Sequence, residues 1–165
     1  MALKRRWVWA LLVALVSGMC MCPNLDSESF ARVRPEVGAL SGRYTPTSET
    51  LRQIGAQGYP AAEIAVVLQP DGVLLLCNLP DGWRSSSGEP AGGLDTGRGH
   101  WRLVQQQERW VLELDVEELV NSVSGPVQGR LTWAPLVGEQ APYFLWLYVG
   151  DPDSGNVMVF ERTGE

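Results

Sequence analysis

Two spaced sets of residues and two single side chains in this chain have types that chemistry uses. Glu113 and Asp115 stand two apart in Trp110-Val111-Leu112-Glu113-Leu114-Asp115-Val116. A strand would project both carboxylates from one face, about 6–7 Å apart. Glycoside hydrolases work with paired carboxylates, but burial is what tunes such acids. This pair falls on the polar side of an alternating strand, where acids face water. Asp151, Asp153 and Gly155 have the spacing that opens a calcium loop. That loop needs Gly at its sixth position and Glu at its twelfth; here Gly155 is fifth and the twelfth residue is Arg162. An Asp/Gly hairpin turn fits the segment better. His100 is the single histidine. A metal site needs several converging ligands, and the chain has no Gly-x-Ser-x-Gly elbow to complete a triad. Cys77 sits in an apolar run and reads as a small buried hydrophobe. No catalytic, cofactor-binding or metal-binding residue is assigned.

The aromatic residues are the most suggestive remainder. Trp83, Trp101, Trp110, Trp133 and Trp146 join Tyr143 and Tyr148 in the part after the leader. Such rings serve both barrel cores and sugar-binding faces. Trp110 and Trp146 alternate with aliphatic residues, which favours packing.

The elements that must position these residues are mostly strands. Residues 47–57 predict one short helix, capped by Thr47 or Ser48, with Leu51 and Ile54 as its apolar face. From there the period becomes two. Residues 63–79 predict a hairpin, with Ile64, Val66 and Leu68 on one face and Pro70-Asp71-Gly72 as its turn. Residues 80–99 read as a long flexible loop, rich in Gly and Ser. A second hairpin begins at Trp101 and Leu103 and connects through 105–108. Its return arm sets Trp110, Leu112, Leu114 and Val116 against Glu113, Asp115 and Glu117, one face dry and one wet. Residues 117–128 are either a loop or a helical turn around Leu119. Arg130 to Ala134, Tyr143 to Val149 and Val157 to Arg162 predict further strands. The count is about eight, mostly hairpin-linked. The expected fold is all-β and antiparallel, a lipocalin-like up-and-down barrel or a sandwich.

Charge excludes one class of partner. The whole chain carries −6, but Lys4, Arg5 and Arg6 stand at its start and every acid follows Cys22. Beyond the leader there are ten basic and 19 acidic residues. Nucleic acid wants clustered Lys and Arg, so no nucleic-acid partner is expected.

The start of the chain gives an address. Lys4-Arg5-Arg6 precedes thirteen uncharged residues, Trp7 to Met19. That is short for a membrane-spanning helix, which needs roughly 20 residues, and suits the core of a signal peptide. Residues 1–22 are therefore read as a signal peptide or membrane anchor with a leader helix, 23–41 as a tether, and 42–165 as the β domain. Cys20 follows Ser17, Gly18 and Met19, and is the lipidation candidate. Cleavage after Gly18 and an uncleaved anchor stay open beside it.

A family likeness runs through Gly42-x-Tyr44, Leu68-x-x-Asp71-Gly72, Asn78-Leu79-Pro80 with Trp83, and Gly99-x-Trp101-x-Leu103. It continues through Gly150-Asp151-Pro152-Asp153-Ser154-Gly155 to Phe160-Glu161-Arg162. The chain resembles a set of small, uncharacterised bacterial exported proteins, many of them lipoprotein-like, and the likeness covers most of 42–162. The resemblance implies a compact β domain outside a bacterial membrane, and no activity. The expected function is a non-enzymatic binding or interaction domain on the periplasmic or cell-surface side, membrane-associated through its leader or a lipid. Its partner would be a protein or a small apolar ligand. One alternative is a small-ligand carrier with a calycin-like barrel cavity; a glycosidase-like enzyme is a weak third, for want of a convergent acid–base set.

Overall fold

Short apolar strands joined by tight turns can bury their inner faces together by curling into a closed sheet. In the computed structural model, which describes residues 30–85, 87 and 92–164, eight antiparallel strands do this in simple up-and-down order. They are β1 (Gly42–Pro46), β2 (Ala65–Leu68), β3 (Val73–Pro80), β4 (Leu94–Gln106), β5 (Arg109–Asn121), β6 (Gly125–Val137), β7 (Phe144–Tyr148) and β8 (Val157–Thr163). β1 pairs with β8, Tyr44 opposite Arg162, and completes the barrel. The barrel form of the fold expectation holds. The leader, with Cys20, lies outside the described residues. Among the described residues, no helix is long and apolar enough to cross a membrane.

The inner face of every strand carries the core. Tyr44, Val66, Leu68, Leu74, Leu112, Leu136, Leu145 and Phe160 are all buried in it. Each large apolar side chain contributes about 1.5–3 kcal/mol when fully buried. An eight-stranded barrel can hold packed side chains or one small ligand; these residues fill the interior in the first way. Trp101 joins them, its Nε1 donating to the Gln69 carbonyl at 2.9 Å. Tyr44 donates to the Leu40 carbonyl at 2.8 Å. Burial, opposed by Arg162, raises its pKa from 10.0 to about 12. The unfolded chain therefore ionises first as pH rises. Stability should hold below pH 10 and fall as pH climbs toward 12, by about 2–3 kcal/mol from this group. Chemical denaturation of the parent and of Tyr44→Phe across that range checks it. A parent curve that falls no more steeply than that of Tyr44→Phe, in which Tyr59 still titrates, would refute the assignment.

Two helices accompany the barrel. α1 is a single turn, Val37–Leu40, and α2 is Ser48–Ala56. The Thr47 hydroxyl caps α2 by accepting from the Thr50 amide. Thr50 and Ile54 are the buried residues of α2, whereas Leu51 is exposed, which corrects its assignment to the apolar face. The reason is the docking partner. Thr50 Oγ1 accepts from the Val159 amide at 3.0 Å, and this bond rotates α2 one residue from the expected face.

The long strands depart most from expectation. β4 starts at Leu94, inside the stretch read as a flexible loop, and that stretch also holds a 3-10 turn over Asp81–Arg84. The β4–β5 connection shrinks to Gln107 and Glu108. Residues 117–121 extend β5, and β6 runs from Gly125, well before the short strand expected at 130–134. A register shift between Arg98 and Gly99 explains the confusion. Val116 and Leu119 both face inward across it, so the two-residue period breaks there. Gly99 and Gly129 sit at this bend, where an added Cβ would meet backbone: 1.9 Å from the Asp115 carbonyl oxygen and 2.1 Å from that of Val116. The β4–β5–β6 ribbon can therefore fold over sharply.

Part of the stretch read as a tether is laid against the barrel. Ala31 is fully buried. Its amide donates to the Leu136 carbonyl at 3.0 Å, and its carbonyl accepts from the Trp110 amide at 2.8 Å. Phe30 meets Trp146 edge-on at 5.8 Å, covering a ring that faces away from the barrel interior.

Candidate functional site

Two adjoining features combine polar groups from distant parts of the chain. The first is a buried brace. Pro80 ends β3, the 3-10 turn follows, and the chain returns through Gly93 into β4. This brings Asp81 and Asp95, both buried, beside Asn121 at the end of β5. Asp95 accepts from Trp83 Nε1 at 2.8 Å, from Arg84 Nε at 2.6 Å and from Asn121 Nδ2 at 2.8 Å. Asp81 accepts from the Tyr59 hydroxyl at 2.9 Å and from the Gly93 amide at 3.1 Å. Burial, and then its bond to Asp81, push the Tyr59 pKa well above the ordinary tyrosine range. Asn121 Oδ1 accepts from the amides of Val123 and Ser124, which shapes the β5–β6 turn. A Cβ on Gly93 would lie 2.4 Å from Asn121, so this approach requires glycine. Every oxygen of both carboxylates has a donor, which suits them to holding structure rather than exchanging protons.

The second feature is a cleft at the barrel seam. β6 and β7 pair only at Leu136–Leu145 and Val137–Phe144. The ladder stops at Pro135, which has no N–H to donate. Beyond it the strands splay, leaving a cleft of about 330 Å³. Leu131, Thr132 and Trp133 of β6 form one wall, and Tyr148, Gly150 and Pro152 form the other. Trp83, held by Asp95, also lines it. The Arg130 guanidinium lies 5.6 Å above the Trp83 ring and donates to the Arg84 carbonyl. Arg109 also lines the cleft, with its guanidinium over Phe30. Trp133 is 46% exposed and Leu131 45%. Among the described residues that line the cleft there is no Asp or Glu. The brace therefore fixes the position of one aromatic wall. The cleft offers rings, two cations and a strand edge to whatever enters it.

No protein-family model matches the chain, and neither a curated protein nor a solved structure matches it.

Of the groups singled out by spacing, the Asp151–Gly155 turn adjoins the cleft, whose lining includes Gly150 and Pro152, and the others lie elsewhere. Glu113 and Asp115 do share the outer face of β5, but Glu113 pairs with Arg102 and Asp115 is exposed. His100 and Glu117 are both exposed, 3.8 Å apart. Cys77 is a free, half-buried thiol on β3. Asp151 accepts from the Asp153 amide at 3.0 Å, and Gly155 takes φ 71°, so the Asp/Gly segment is a turn. No group of three or more candidate metal ligands occurs among the described residues. Sequence reasoning missed Asp81, Asp95, Asn121 and Arg130 because nothing local marks a polar group that will be buried or an arginine that will stack on a distant ring. The only signal was Trp83, which a flexible loop would seldom need.

Proposed function

We propose that this chain is an exported, membrane-associated protein whose barrel is a non-enzymatic binding domain. The seam cleft carries the reading. It is concave, lined by Trp83, Trp133 and Tyr148 and flanked by Arg109 and Arg130. Sites of that make-up bind ligands through apolar area and a few placed polar groups. The acids of the brace are fully engaged, which supports binding over acid–base chemistry. The basic leader, its apolar run and the likeness to exported lipoprotein-like proteins support the location, with Cys20 as the candidate lipid attachment point. The filled interior speaks for a surface cleft over an internal cargo cavity.

A thermal-shift screen of the purified protein against lipids, oligosaccharides and peptides tests the function. One class should raise the melting temperature of the parent by about 2–4 °C or more. Trp133→Ala and Arg130→Ala should lose that shift. A hit equally strong in both variants would place binding elsewhere, and silence across all three classes would remove the reading. Intact mass of the membrane-extracted protein tests the location. A mass lacking acyl chains would eliminate lipidation at Cys20.

A further inference from the structure

The cleft has a property that small-molecule sites do not need: one of its walls is a strand with one edge unpaired. Among the described residues, β6 pairs with β5 from Gly125 to Pro135, but with β7 only at Leu136 and Val137. Among the described residues no strand pairs with its other edge at Leu131, Thr132 and Trp133, which line the cleft. An open edge presents N–H and C=O groups in the pattern that another strand would satisfy. Natural proteins commonly blunt such edges with lysine, proline or inward charge. Pro126 and Pro135 stand near the ends of this one, and no proline lies between them.

We propose that the cleft captures an extended acidic peptide segment by strand addition to the open edge of β6. This rests on reading the cleft as a binding site. Main-chain bonds to residues 130–134 supply the affinity, and alternate side chains supply the selectivity. Arg109 and Arg130 select carboxylate-bearing side chains, since the described lining holds cations without acids. Leu131 and Trp133, both well exposed, receive apolar side chains from the same peptide. A second copy of this chain is a poor occupant, because pairing two β6 edges would bring the same arginine-bearing clefts together.

The test uses the full chain in detergent and three synthetic octapeptides. One alternates Val with Glu, the second alternates Val with Lys, and the third is the Glu peptide N-methylated at alternate residues. Calorimetric titration should show saturable binding of the Glu peptide below about 1 mM. The Lys and N-methylated peptides should bind at least about tenfold more weakly. Hydrogen exchange should slow at residues 130–134 when the Glu peptide binds. Arg130→Glu, an exposed substitution, should weaken the Glu peptide and strengthen the Lys peptide. Equal binding of the N-methylated peptide would overturn strand addition while leaving the cleft a binding site. So would a lipid or sugar ligand in the cleft with no peptide bound. Concentration-dependent dimerisation that slows exchange at 130–134 would overturn the choice of partner.

Discussion

Replacing Asp95 by Ala should cost the domain about 3–5 kcal/mol, the range for breaking a buried charge pair from one side. The reason is the number of donors left behind. Asp95 is 0% exposed and accepts from Trp83, Arg84 and Asn121. Removing it strands the Trp83 indole N–H beside a small void and leaves Asn121 and Arg84 with Asp81 alone, at 3.3 and 4.0 Å. Asp95→Asn keeps the shape but presents its own amide to donors, so an intermediate loss of about 1–3 kcal/mol is expected. Urea denaturation of the three proteins gives the comparison. The cleft should suffer too, because Trp83 loses its anchor and Arg130 packs on Trp83. A loss below about 1 kcal/mol for Asp95→Ala would mean that the brace is dispensable.

Gly99→Ala should be at least as damaging. The new Cβ would lie 1.9 Å from the Asp115 carbonyl oxygen and 2.9 Å from Val116 Cα. Both obstacles are backbone, so no side-chain rotation relieves them. Ordinary overpacking costs about 1–3 kcal/mol; here the ribbon must unbend, and a loss above about 3 kcal/mol is expected. Gly129→Ala meets the Val116 carbonyl oxygen at 2.1 Å and should behave alike. Gly55→Ala in α2 is the contrast, since nothing lies within 4 Å of its added Cβ. That change should be neutral or stabilising by up to about 1 kcal/mol. Thermal melts of all three separate a general intolerance of the barrel from a specific need at the bend. A Gly99→Ala variant as stable as Gly55→Ala would discard the bend as an explanation.

The fold was legible where the period of two ran unbroken. Ile64-Val66-Leu68 and Leu112-Leu114-Val116 announced their faces, and Pro70-Asp71-Gly72 announced its turn. It was illegible where glycine stood for close approach instead of freedom. Gly97 and Gly99 lent β4 the composition of a loop while serving a crowded sheet. The inward spacing from Val116 to Leu119 likewise hid the far half of β5. Leu51 was misplaced because a polar residue, Thr50, makes the bond that docks α2. The candidate site was less legible still. Asp81 and Asp95 are ordinary surface residues by type, and only the folded chain surrounds them with donors. The cleft depends on where two strands diverge, which no single segment encodes. Of the aromatic residues singled out early, Trp83, Trp133 and Tyr148 proved to line it, while Trp101 went to the core.

The seal between β1 and β8 has a consequence in time. Arg43 lies opposite Thr163, and Pro46 opposite Phe160. The strand that emerges first is therefore completed by the one that emerges last. A chain delivered N-terminus first, from a ribosome or through a narrow channel, can form its central hairpins early but cannot shut its ring until β8 arrives. Closure joins segments far apart in sequence, at a cost in loop entropy that local hairpins do not meet. Until then, Gly42–Pro46 is paired with β2 on one edge only, and its other edge is open to the wrong neighbour. The architecture thus postpones commitment: local hairpins form as they are made, and the ring locks only when β8 meets β1.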